Sequence, residues 1–220
     1  SEYPEYRVYK ISDTLKEKGT LLIDRQTTID DYEKNFEDLE YEIYLRSIKE
    51  ADHALVVVEG GSPISGICLR LTEVIKEAKI SVLYVCPDWS VISETQKRDD
   101  RIVFNVFQEY ARSGVFESIY LAHAPNVETL VGNVSIPEYE ESFYKSLSYV
   151  VAMVNYYEHV DPVLSTKTEA PSTAKIKTLG ISSFDASQPQ NMNFLFPLRG
   201  NCIMHFLYGI PPDLLEEDSS

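Results

Sequence analysis

Short apolar runs alternate along this chain with longer stretches in which apolar residues recur every three or four positions. The clearest run covers residues 54–58 and is rich in β-branched side chains, which suits a strand covered on both faces. A turn through Gly60, Gly61, Ser62, Pro63, Ile64, Ser65 and Gly66 follows it. Ile67, Cys68, Leu71, Val74, Ile75 and Ala78 then share one helical face. Residues 80–86 read as a second strand, stopped by Pro87, Asp88 and Trp89. Val103, Val106, Phe107 and Tyr110 predict a helix over 99–112, closed by Ser113 and a left-handed cap at Gly114. Residues 116–122 are a third strand, whose exit is His123, Ala124, Pro125 and Asn126; a short polar helix before Pro137 is expected next. The longest helical pattern is 142–158, striped by Phe143, Leu147, Val150, Val151 and Val154 and preceded by the acidic turn 138–141.

Upstream the pattern is weaker. Residues 6–11 and 20–24 read as short strands, and Thr28 and Asp31 are placed to cap a short helix within 27–35. Residues 36–50 carry Tyr41, Tyr44, Leu45 and Ile48 at helical spacing. Strands alternating with helices of this length predict an α/β fold: a mostly parallel sheet with helices on both faces and a long central helix. In such sheets ligands bind outside the carboxyl ends of the strands, so the loops after Val58, Cys86 and Ala122 should share one rim. From 160 to 174 the composition shifts to Pro, Ser and Thr, as in a linker. Residues 175–181 and 201–208 look like strands of a different, partial α+β unit, and 211–220 like an acidic tail. The expected division is therefore 1–159 as a nucleotide-binding-type domain, 160–174 as a linker and 175–220 as a partial second domain.

Charge narrows the functional classes. A formal net charge of −15 argues against nucleic acid or an anionic membrane as a partner. No apolar run is long enough to span a bilayer. Cys68, Cys86 and Cys202 have no metal-type spacing, and Cys68 and Cys86, in apolar stretches, read as reduced core thiols, which predicts a cytoplasmic protein. The histidines His53, His123, His159 and His205 make no ligand set, and no nucleophile–base arrangement stands out. What remains is the turn at 60–66. A helix start preceded by small residues presents unpaired N–H groups and the positive end of a dipole, which suits an anion.

The order of these features resembles the tubulin/FtsZ superfamily from residue 36 through the long helix and, more loosely, beyond it. There a strand enters a glycine-rich phosphate loop and then a helix, as at Gly60 to Gly66. The next strand ends at a proline, here Pro87, before a loop with an acid and an arginine four apart, here Glu94 and Arg98. Pro125 and Asn126 fall where the family carries an asparagine against guanine. Arg112, Ser113 and Gly114 add to the likeness. In the long helix Tyr144 matches a base-stacking ring, with Ser148 one turn on, and Asp161 matches an acid that acts on the next subunit's nucleotide.

The resemblance implies a cytoskeletal GTP-binding protein that polymerises head to tail and hydrolyses GTP at the subunit contact. GTP or GDP and Mg²⁺ would be its cofactors. Gly60, Gly61, Ser62, Ser65 and Gly66 would then face phosphate, Glu94 and Arg98 the ribose, and Asn126, Tyr144 and Ser148 the base, with Asp161 catalytic. The sequence also departs from that pattern. Pro63 removes an N–H donor, Ile64 stands in place of a glycine, and the second catalytic acid falls at Leu164. These departures carry a competing reading: a nucleotide-free structural protein that assembles with itself or with other assembly proteins. A third reading is a doubly wound domain that binds another small anion.

Overall fold

A computed structural model describes residues 6–37, 45, 51–161, 171–182, 192–200 and 202–206. Its centre is a four-stranded, all-parallel sheet built from β3 (His53–Glu59), β4 (Lys79–Cys86), β5 (Ser118–His123) and β6 (Ile176–Thr178), in that spatial order. The register aligns Val58 with Tyr84, and Cys86 with His123, so the strands end along one rim. Two smaller sheets accompany it: a parallel pair of β1 (Lys10–Ser12) with β2 (Thr20–Leu22), and an antiparallel pair of β7 (Gly180–Ser182) with β8 (Met192–Phe194). The α/β class and the parallel sheet agree with the apolar pattern.

The helices are α1 (Ile29–Glu37), α2 (Ile67–Val74), α3 (Glu94–Arg112), α4 (Ala124–Val131) and α5 (Ile136–His159). A short 3-10 turn at Pro63–Gly66 leads into α2. One face of the sheet, through Val56, Val58, Val82, Tyr84 and Ile119, packs on Leu69 of α2 and on Val103, Phe107 and Ala111 of α3. The other, through Leu83, Val85 and Ala122, packs on Val127 of α4 and on Phe143, Leu147 and Val150 of α5. Alternation along each strand sends neighbours to opposite faces, so a continuous apolar run serves both layers. A third cluster joins Ile23, Tyr32 and Phe36 to Ile67, which fixes α1 against the start of α2.

Five local expectations change. β3 is covered on one face only: Val56 and Val58 are buried, whereas Leu55 and Val57 are 42% and 53% exposed. α3 starts at Glu94, five positions before the predicted Asp99, because Ser93 and Gln96 form a capping box that satisfies its first N–H groups. α5 starts at Ile136, so the acidic stretch from Glu138 is helix and not a turn; Pro137 sits in the first turn, where its missing N–H costs nothing. The stretch 175–181 is not one strand of a separate unit. It splits at Leu179, with Ile176–Thr178 completing the main sheet beside β5 and Gly180–Ser182 forming the small antiparallel pair. Residues 202–206 adopt no strand. Beyond Glu37 the helix expected to residue 50 lies outside the described residues except for Leu45, which is helical and buried.

Candidate functional site at the carboxyl-end rim

The rim is formed by the exits of β3, β4 and β5, which the sheet register brings side by side as expected. At the first exit Gly60, Gly61, Ser65 and Gly66 are buried and Ser62 is half-buried. The turn is bonded to itself and to the sheet: Gly60 N–H donates to the Val85 carbonyl at 2.9 Å, and Ser65 donates through its N–H and its hydroxyl to the Ser62 carbonyl, at 3.0 and 2.6 Å. Gly66 lies so close to α1 that a methyl group there would meet the Ile29 carbonyl oxygen at 2.6 Å. The entrance to α2 is therefore covered by the start of α1.

Gly60 is closed off on another side. A methyl group on it would stand 2.2 Å from Asp100 Oδ1. Asp100 is 5% exposed, and its carboxylate accepts from the Tyr84 hydroxyl and from Trp89 Nε1, both at 2.7 Å. Arg101 covers the Trp89 ring at 4.6 Å, a cation–π contact. Burial, with Asp100 adding like charge, raises the Tyr84 phenol and pushes the Cys86 thiol up to about 12. Sequence reading of the rim missed Asp100; its only signal was a buried-face acid within an amphipathic helix.

The second and third exits hold the remaining candidates. Glu94 and Arg98 do not pair with each other. Glu94 bonds Lys97 at 2.7 Å, which lowers its carboxyl, and the exposed Arg98 lies 3.6 Å from Asp99. Asn126 sits in the first turn of α4, not in a loop. Its amide nitrogen donates to the Phe194 carbonyl at 2.9 Å, and its oxygen faces His123 Nδ1 at 3.0 Å. That oxygen accepts, so His123 carries its proton on Nδ1. Tyr144 donates to Glu59 Oε2 at 2.9 Å, and burial together with the Glu59 charge raises its phenol. Ser148 and Asp161 are exposed, Asp161 two residues beyond the end of α5. The rim thus gathers Gly60, Asn126, Tyr144 and their neighbours.

In this arrangement the residues do not fit a bound guanine nucleotide. A carboxylate and a carbonyl flank the turn where phosphate oxygens would need donors, and both ends of the Asn126 amide are engaged within the protein. Among the described residues no group of His, Cys, Asp and Glu is arranged to hold a metal ion. No described helix is long and apolar enough to cross a membrane. An open depression of about 510 Å³ lies beside the rim, lined by Asn126, Thr129, Met192, Phe194 and Phe196 among others. Comparison with protein-family models, with curated proteins and with solved structures finds no match to this chain.

Proposed function

We propose that this chain is a structural assembly protein: an α/β module that keeps a nucleotide-domain layout and works through contacts with its own copies or with other assembly proteins, without nucleotide. The observation that carries this reading is the covered entrance to α2, where the Ile29 carbonyl lies against Gly66 and Ser65 bonds back to Ser62. A phosphate bound there would need the Ser65 N–H unpaired and the space beside Gly66 open. Exposed apolar side chains support an interface role: Leu55 and Val57 on β3, and Tyr149, Met153 and Tyr156 at 50%, 48% and 61% on α5. Titration calorimetry with GTP and Mg²⁺ into the millimolar range should show no binding. Light scattering should report the same assembly with and without GTP. Saturable heat, or assembly that needs GTP, overturns this reading.

A GTP-binding, tubulin/FtsZ-like filament protein is the second reading, favoured by a rim that brings Gly60 after β3 and Asn126 after β5 together with Tyr144 of α5, bonded to Glu59. It requires the Asn126–Phe194 and Tyr144–Glu59 bonds to be exchanged for contacts with the base. Under it, Asp161→Ala spares GTP binding and abolishes turnover. Equal loss of both removes the in-trans role of Asp161.

A further inference from the structure

We propose that the protein supplies its own anion to the turn after β3: the Asp100 carboxylate occupies the place beside Gly60 that a phosphate would need. This deepens the nucleotide-free reading and rests on it. Asp100 is held by groups from two other parts of the rim, the Tyr84 hydroxyl on β4 and Trp89 Nε1 in the loop that follows, each at 2.7 Å. Both donors point at the carboxylate, so it has little freedom to swing away. The 2.2 Å separation between Asp100 Oδ1 and a methyl group built on Gly60, with the Tyr84 hydroxyl at 2.7 Å, leaves no room for a ligand atom on that side of the glycine while Asp100 is in place. Charge acts in the same direction. A phosphate brought to the turn would meet a carboxylate that is 5% exposed, where water screens little. Glycine at position 60 is thereby explained without a ligand: it makes room for the protein's own acid.

Trp89 is the only tryptophan, and its ring nitrogen touches this carboxylate, so its fluorescence reports on the site directly. Wild-type emission should stay unchanged on titration with GTP and Mg²⁺, or with pyrophosphate, into the millimolar range; a saturable change in either overturns the proposal. Asp100→Ala, checked for folding by circular dichroism, should gain a saturable pyrophosphate response at least about tenfold tighter than any in wild type. A folded variant as unresponsive as wild type also overturns it. Asp100→Ser removes the charge and shortens the side chain away from Gly60 while leaving a hydroxyl near Tyr84; it carries the same expectation should the alanine variant not fold. Sedimentation separates this proposal from the reading beneath it. A wild-type chain that stays monomeric and without partners ends the assembly reading while leaving the Asp100 result intact.

Discussion

Gly60 is a residue at which one methyl group decides the outcome. Gly60→Ala puts its Cβ against a carboxylate held by two hydrogen bonds, so the turn or Asp100 must shift. We expect a loss of about 2–3 kcal/mol in urea unfolding, with a change in Trp89 emission. An unaltered midpoint would mean that Asp100 moves aside freely. The cysteines give a second prediction at this scale. Burial pushes Cys68 and Cys86 from 9.0 up to about 12, whereas Cys202 is exposed. At pH 8 a thiol reagent should modify Cys202 rapidly and the other two only on unfolding. A group whose folded pKa is raised stabilises the fold fully below its unfolded value and stops doing so as pH rises through the folded one. The urea midpoint should therefore be level up to about pH 9 and fall between 9 and 12. A midpoint that rises across that window refutes the assignment.

Among elements, α3 separates its two faces most sharply. Phe107 is fully buried against Tyr84 and Phe116, with ring centroids at 6.0 and 5.4 Å, while Ile102 is 44% exposed. Phe107→Ala should cost about 3–5 kcal/mol, and Ile102→Ala less than about 1 kcal/mol, in chemical denaturation. Similar losses at both positions would mean that Ile102 is covered in solution. This helix also shows what the sequence carried. Its apolar face was readable from Val103, Phe107 and Tyr110, because spacing alone sets which side meets the sheet. Its start was missed, because the capping pair Ser93 and Gln96 is polar and contributes nothing to periodicity. β4 and β5 were legible as unbroken apolar runs. β3 looked the same and proved half-exposed, since composition does not say how many helices lie over an outer strand. β6 was placed in the wrong unit because Ile176, Lys177 and Thr178 make too short a pattern to name their partner. The candidate positions were legible, but their bonds were not: Asn126 to Phe194 and Tyr144 to Glu59 join residues 68 and 85 positions apart.

For the whole molecule, β6 is the strand that covers the far edge of β5. The Ile119 N–H donates to the Lys175 carbonyl at 2.8 Å, and the His123 N–H to the Leu195 carbonyl at 2.6 Å. A chain ended at residue 174 should leave β5 as an unpaired edge and aggregate on heating below the full chain's transition. A truncated chain with an unchanged transition would show that β6 adds nothing to the core. The acidic balance acts at the same scale. With a net charge of −15, self-repulsion should ease as salt screens it, so the thermal midpoint should rise from low to physiological ionic strength. The distance between β5 and β6 also has a consequence in time. Thr178 bonds the Leu121 carbonyl from 57 positions away. At ribosomal rates that gap leaves the outer edge of β5 unpaired for about 3–11 s after it has emerged, an interval in which a chaperone or a neighbouring nascent chain has first access to it.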